Sequence, residues 1–314
     1  MPFSSLPGLL SLAKKSAVAA AVGLALVLAA VSAQAVAAER TVTDAFGRDV
    51  RVGSAERIVT LGPDVTEIAF ALGVGDRIVG LDRSSRYPAE AMEKPNVGYR
   101  RSLSAEGLLA LRPDLIIAAQ DIGPPEMVDI LKGLSIAVVF VTEDNSLEGI
   151  GRKIGLVAAT LDRDGEELAK SVKADFEAAA RMAERVPDAA RKKVLFLHGL
   201  ARLTAAGDGT AADAIIGHAG ATNPFDGVNG YKAASEEALL TMAPDTILML
   251  GDGNGGPTPE EVFAVPALRN TPAAANRSLI VLDGPYMLGF GPRTAGAIRD
   301  LTMALYPEYL AAGE

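Results

Sequence analysis

The chain has 314 residues, with 30 Lys and Arg against 39 Asp and Glu, a formal net charge of −9, and no cysteine. The acidic balance argues against a nucleic-acid binder, which would present basic groups to phosphates. The missing cysteines exclude disulfides, thiol nucleophiles and cysteine-rich metal sites, and two histidines are too few for a multi-histidine metal centre.

Lys14 and Lys15 precede an apolar and small-residue run from Ser16 to Val31, and Ala33-Gln34-Ala35 fits the small-x-small cleavage pattern. Together they predict a secretory signal peptide over residues 1–35, with Ala37 and Ala38 as later boundaries. A cut after Ala35 leaves 314 − 35 = 279 residues and removes two lysines, so the mature charge is 28 − 39 = −11. A chain of that length buries a core that needs no disulfides. The apolar run is short for a bilayer span, and no later segment is long and apolar enough. The mature chain is therefore expected to be exported and not embedded in a membrane.

Ala45 to Val50 reads as an edge hairpin and Arg57 to Leu61 as a strand. Gly62-Pro63-Asp64 turns into a helix over Val65 to Leu72, and Ile78 to Leu81 is the next strand. The loop from Asp82 to Arg101 is long, polar and holds Tyr87 and Tyr99, the kind of segment where binding residues gather. Leu115 to Ala118 and Ala137 to Val141 read as buried strands, which sets a βαβ rhythm and a mostly parallel sheet. Helices follow over Leu147 to Leu161 and Asp164 to Arg185. The second places Leu168, Val172, Phe176, Ala180 and Ala183 on one face and charges on the other. It holds little Gly, Ser or Pro, so it reads as a rigid connector. After Pro187 the α/β pattern restarts: a strand over Lys193 to Leu197, a Gly-rich stretch, a helix over Ala211 to Ala219, a strand over Ile247 to Leu250, and a strand over Ser278 to Leu282. An ordered loop over Gly284 to Arg293 and a helix over Thr294 to Leu305 close the chain.

A repeat explains this rhythm. Ser104-x-Glu106-x-Leu108-Leu109-x-x-x-Pro113-Asp114-x-Ile116 matches Ser235-x-Glu237-x-Leu239-Leu240-x-x-x-Pro244-Asp245-x-Ile247, each position 131 residues from its partner (235 − 104). Serine and glutamate start a helix, Pro-Asp stops it, and a short apolar strand follows. The spacing is too long for a solenoid. The prediction is an α/β protein of two Rossmann-like lobes with mostly parallel sheets joined by one long α-helix: an N-terminal lobe over 40–160, the connecting helix over 161–188, and a C-terminal lobe over 189–314.

The chain lacks a Gly-x-Ser-x-Gly elbow. Gly251 to Gly256 lacks the Lys-Ser/Thr ending of a P-loop and reads as a mobile loop. Gly207-Asp208-Gly209-Thr210-Ala211 opens a helix, either as an anion-holding turn or as an ordinary turn with a threonine cap. The same two readings apply at Pro292-Arg293-Thr294. Val97-Gly98-Tyr99-Arg100-Arg101 puts a phenol two residues from a guanidinium. A phenolate is a hard anionic donor for ferric iron, and both iron and a nearby guanidinium favour its deprotonated form. In an extended loop Arg101 would point to the same side as Tyr99. A packing tyrosine with its hydroxyl at the rim is the alternative.

The chain resembles the periplasmic haem-binding proteins of bacterial haemin ABC importers, a group of substrate-binding proteins whose two α/β lobes are joined by one long helix. The matching segments are Arg57-Ile58-Val59 through Gly80, Val97 through Leu115, His198-Gly199, Gly207 through Ile215, Gly230-Tyr231-Lys232, and Gly289 through Arg293. The lobe pattern is shared with cobalamin and siderophore binders, and the Gly-Tyr-x-Arg segment points to haem. The resemblance implies Tyr99 as axial ligand of haem iron with Arg101 in contact with it. It implies haem b as cargo rather than a catalytic cofactor, a periplasmic location, and iron acquisition by transport without catalysis.

His198 follows the first strand of the second lobe. It is either a second iron ligand or pocket group, as in some members, or a cleft-edge histidine bonded to backbone. His218, late in a helix, reads as a residue compensating the helix dipole. Tyr231, Tyr286, Met287 and Phe290 are candidates for apolar walls, or for core. Lys232 and Arg293 are candidate propionate partners, or solvated charges. The resemblance also implies that Glu106 and Glu237 dock the lobes onto the importer's membrane permease dimer. As helix-start acids they would each contribute under about 1 kcal/mol through the dipole. A monomer is expected. The rival readings are the same fold carrying a ferric siderophore or cobalamin, and a secreted hydrolase.

Overall fold

A computed structural model describes residues 39–252 and 255–310. The predicted signal peptide, and residues 253 and 254 of the expected mobile loop, lie outside the described residues. From Arg40 onward the chain forms one compact unit. Among the described residues no helix is long and apolar enough to cross a membrane.

Strands β1 (Arg40–Thr43) and β2 (Asp49–Val52) pair antiparallel. The segment Ala45 to Arg48 is the turn between them rather than part of the strands. Asp44 organises it, accepting from the backbone N–H of Phe46 at 2.9 Å and of Arg48 at 3.0 Å. Strands β3 (Ile58–Leu61), β4 (Ile78–Leu81), β5 (Leu115–Ala119) and β6 (Ala137–Val141) form a parallel sheet in the order β4-β3-β5-β6. Both faces are covered, so these strands are apolar throughout rather than alternating. Leu115, Ile117, Val139 and Val141 enter one core, while Ile116, Ala118, Val138 and Phe140 enter another on the opposite face.

The second sheet holds β7 (Val194–His198), β8 (Thr204–Ala206), β9 (Tyr231–Ala233), β10 (Thr246–Gly251) and β11 (Leu279–Asp283), in the order β11-β10-β7-β8-β9. Its first three strands are parallel, but β8 and β9 pair antiparallel at the edge. The Gly-rich stretch after β7 thus contains a strand, too short at three residues to show an alternating pattern. The segment expected as a loop at Gly284 begins with a short helix, Gly284–Leu288, capped by Asp283, which accepts from the Tyr286 N–H at 3.1 Å.

The repeat is visible in the structure, although Ser235 caps its helix and Ser104 does not. Its two helices are Ala105–Ala110 and Glu236–Met242. Each is followed within two residues by one with positive φ, Arg112 (φ 47°) and Ala243 (φ 44°), which are again 131 apart. Each Pro-Asp then pins the chain as it enters the neighbouring strand. Asp114 accepts from the N–H groups of Glu56 and Arg57, both at 3.0 Å, and Asp245 accepts from the Lys193 N–H at 2.8 Å.

The connecting helix is Glu166–Ala183. Its buried stripe of Val172, Phe176, Ala179 and Ala183 joins a core fed by both sheets, including Ile117 and Val139 from one and Phe196 and Leu248 from the other. Phe176 packs edge-on against His218, with ring centroids 4.9 Å apart. Truncating Phe176 to alanine should therefore destabilise the protein by about 3–5 kcal/mol in denaturant unfolding; a loss below about 1 kcal/mol would show that the helix is not held by this face.

Candidate functional site

The carboxyl ends of the parallel strands from both sheets converge on a cavity of about 390 Å³. Such a convergence is where ligands sit in α/β folds, and the volume lies within the range of about 300–1,000 Å³ for small-molecule sites. Pro63 and Asp64 follow β3, Ser84 follows β4, and Glu143 follows β6. From the second sheet come His198 at the end of β7, Thr204 and Tyr231. Phe196, Leu250, Pro285 and Leu288 supply apolar wall.

Tyr99 lines this cavity, 40 % exposed. Its segment is a tight turn rather than the expected extended loop: the Ser102 N–H donates to the Tyr99 carbonyl at 2.7 Å. Gly98, at φ 104°, takes a conformation that L side chains rarely adopt. Its N–H donates to Asn96 Oδ1 at 2.7 Å, and its carbonyl accepts from the Arg83 N–H at 2.8 Å. The cation over the Tyr99 ring is Arg83, 5.4 Å from the centroid, and not Arg101. Among the described residues the Tyr99 hydroxyl has no hydrogen-bond partner.

Arg100 and Arg101 both line the cavity, and both reach one carboxylate. Asp121, in the loop after β5, holds Arg100 Nη1 at 2.5 Å and Arg101 Nη2 at 2.9 Å. The same loop splints the Tyr99 turn. Gly123 donates its N–H to the Arg100 carbonyl at 2.8 Å and accepts from Leu103 N–H at 3.0 Å. A Cβ at Gly123 would lie 3.2 Å from the Arg101 carbonyl oxygen, so the close approach favours glycine.

Lys153, 2 % exposed, lies on the helix Leu147–Leu161 behind the cavity-lining Asp64 and Glu143. It bonds Asp64 and donates to the Phe290 carbonyl at 3.2 Å and the Gly289 carbonyl at 3.4 Å. Burial alone would lower its pKa, but Asp64 and Glu143 overturn this and hold it above the ordinary lysine value. Glu143 lies 3.8 Å from both Lys153 Nζ and Arg100 Nη1. Burial, followed by the Asp64 charge, pushes its carboxyl up to about 7.

Of the expected site residues, the cavity gathers Tyr99, Arg101, His198 and Tyr231. Burial raises the Tyr231 phenol above its usual range, with Arg101 opposing. Lys232, its neighbour on an edge strand, does not line the cavity, because successive side chains point to opposite faces. Nor do Tyr286 and Arg293. The Tyr286 hydroxyl donates to Asp300 at 2.9 Å, and burial and Asp300 raise its pKa far above the usual phenol. Arg293 forks onto Glu67, with Nε 3.0 Å from Oε2, and lies 3.8 Å from the Tyr87 ring centroid. Met287 and Phe290 belong to the core, not to a ligand wall. Thr210 caps the helix Ala211–His218, accepting from the Asp213 N–H at 3.1 Å, as an ordinary turn does. His218 ends that helix, but packing on Phe176 buries it and lowers its pKa. Glu106 and Glu237 are exposed, one at each repeat helix, and neither has an ion-pair partner among the described residues.

Sequence reasoning did not find Asp64, Asp121, Glu143 or Lys153 as site residues. Only Lys153 carried a local signal: it interrupts the apolar stripe of Ile150, Ile154, Val157 and Leu161 on its helix. The Glu143 carboxyl yields a test of this floor. A carboxyl whose pKa rises from 4.5 to about 7 on folding makes the folded state bind more protons in that window. Stability therefore falls as pH rises from about 4.5 to 7. Glu143→Gln should match wild type near pH 4 and exceed it at pH 8 by on the order of 1–3 kcal/mol in thermal or denaturant unfolding. A Gln variant less stable at pH 8 would contradict the strained-carboxylate assignment.

Comparison with known proteins agrees with this architecture. A family model described as periplasmic binding protein matches residues 58–286. The structure is similar to that of the periplasmic haem-binding protein BhuT in complex with two haems. Identity is 40 %, the match covers 82 % of this chain and 100 % of that one, and the TM-score is 0.75. It is also similar to the periplasmic haem-binding protein RhuT from Roseiflexus sp. RS-1, at 38 % identity over 82 % and 100 % of the two chains with a TM-score of 0.75. By sequence it is 27 % identical to the vitamin B12-binding protein of Pectobacterium carotovorum subsp. carotovorum, covering 74 % of this chain and 84 % of that one. With residues 58–286 matched and both sheets accounted for, the chain belongs to the periplasmic binding protein family.

Proposed function

We propose that this protein binds ferric haem in the cavity between its two sheets and delivers it to an ABC importer. The observation that carries this reading is Tyr99, which lines a partly apolar cavity together with Arg100 and Arg101 and whose hydroxyl has no hydrogen-bond partner among the described residues. A free phenol titrates near about pH 10. Ferric iron and nearby guanidinium groups both favour the phenolate, whose filled oxygen lone pairs would make an axial bond. Phe196, Leu250, Pro285 and Leu288 would take the porphyrin face, and Arg100 and Arg101 its propionates. His198 lines the same cavity and is the candidate second ligand. The similarity to BhuT and RhuT supports haem, and we take haem b as the form carried.

In this reading the protein is a monomer of two lobes, 40–160 and 189–314, joined by a connector over 161–188. It works in the periplasm after loss of a leader over residues 1–35, and it binds and releases without catalysing a reaction. Glu106 and Glu237 lie on helices of the repeat and are free of intramolecular ion pairs among the described residues. They would meet cations on the two halves of a permease dimer, since a duplicated acid suits a two-fold partner.

The similarity to vitamin B12-binding proteins supports cobalamin as the second reading. One titration separates them. Haemin added to the protein should give a ferric phenolate spectrum, and Tyr99→Ala should abolish it and weaken binding at least about 10- to 100-fold, the scale of losing even an outer-shell partner of a metal. An unchanged spectrum in Tyr99→Ala would move the ligand elsewhere, and no spectral change in wild type with tight cobalamin binding would replace haem.

A further inference from the structure

Four charged residues line the cavity, Asp64, Arg100, Arg101 and Glu143, and with their partners Asp121 and Lys153 they are unequally matched. Asp121 holds Arg100 at 2.5 Å and Arg101 at 2.9 Å, and Asp64 holds Lys153. Glu143 stands between the two pairs, 3.8 Å from Arg100 and 3.8 Å from Lys153, beyond hydrogen-bond distance of either. Each of those cations already has a closer carboxylate. Four charged groups face Glu143: Asp64 from the helix after β3, Lys153 from the helix Leu147–Leu161, Arg100 from the Tyr99 turn, and Asp121 from the loop after β5. Asp64, Asp121 and Glu143 balance Lys153, Arg100 and Arg101 within this set when all six are ionised. Glu143 is the carboxylate with second-best partners, and it faces the cavity.

We propose that Glu143 is a specificity-determining residue that makes seating of a ligand carboxylate depend on its own protonation. The proposal rests on the haem reading above. A propionate reaching Arg100 competes with Glu143 for one guanidinium, and two carboxylates sharing a cation cannot both stay ionised without cost. As the propionate arrives, an ionised Glu143 takes up one proton from the buffer acid in solution, so the site gains one negative and one positive charge and its net charge is unchanged. The raised Glu143 pKa, about 7, supplies that proton at little cost near neutrality. A ligand without carboxylates makes no such demand.

The test compares haemin with haemin dimethyl ester, which has the same ring and iron but no free carboxylate, on wild type and Glu143→Gln from pH 6 to pH 8.5. The glutamine stands for a permanently neutral side chain. The ratio of haemin affinities, variant over wild type, should rise on the order of tenfold across this range, while the ratio for the ester stays flat. Any proton released from Tyr99 is common to both proteins and cancels in the ratio. A flat ratio for haemin, or an equal rise for the ester, overturns the proposal. Wild type alone gives a second measurement that does not depend on the variant folding. Calorimetry at pH 7 in buffers of different ionisation heat should find roughly half a proton more taken up with haemin than with the ester; equal uptake overturns the proposal. Loss of haemin binding in wild type would instead sink the haem reading, and this proposal with it.

Discussion

The ammonium of Lys153 is the constraint on which the cleft depends. An unpaired ammonium in the interior would cost several kcal/mol. Here it is matched by Asp64 and by the carbonyl oxygens of Gly289 and Phe290. Those partners come from opposite sides: Asp64 follows a strand of the first sheet, whereas Gly289 and Phe290 follow the last strand of the second. One buried charge thus fastens the first sheet to the segment that follows the second. The helix Leu147–Leu161 carries it there, started by Ser146, whose hydroxyl accepts from the Gly149 N–H at 2.9 Å. A methionine at this position would fill the space but leave Asp64 buried without its charge partner, the costly half of breaking a buried pair.

Above that anchor the site is assembled by loops rather than by regular elements. Asp121 and Gly123 brace the Tyr99 turn through one carboxylate and two backbone hydrogen bonds. The result is a phenol with no hydrogen-bond partner among the described residues, next in the chain to arginines that Asp121 holds. Preorganisation of this kind places the cost of ordering the arginines in folding rather than in binding. The second-sheet side of the cavity sets Phe196, Leu250, Pro285 and Leu288 beside His198, Thr204 and Tyr231, and Asp64, Arg100, Arg101 and Glu143 charge the other side, which suits a flat apolar ring with anionic substituents at one edge.

Much of the fold was legible because it is written in local chemistry. The helices Leu147–Leu161 and Thr294–Leu305 follow their apolar periodicity to the residue. The 131-residue repeat identified two equivalent helix–strand units, and the left-handed stops at Arg112 and Ala243 show that even the backbone geometry is duplicated. The edge strand β8 was not legible, since three residues carry no period. The site was legible only in part. Tyr99, Arg101, His198 and Tyr231 were found by residue type and resemblance, and the cavity gathers all four. Arg293 and Tyr286 carried the same residue types but are engaged by Glu67 and Asp300, partners far away in sequence or on another helix. Asp64, Asp121, Glu143 and Lys153 were missed because their pairing is set by tertiary packing, which a linear pattern does not record.

The proposed function rests on one bond, from the Tyr99 oxygen to the iron of a macrocycle held between the two sheets. A crystal structure of the protein grown with haemin tests it most directly. It should show the ring seated against Phe196, Leu250 and Leu288, with the Tyr99 oxygen at coordination distance from iron and propionates toward Arg100 and Arg101. Haem found outside this cavity, or inside it with Tyr99 turned away from the iron, would contradict the account.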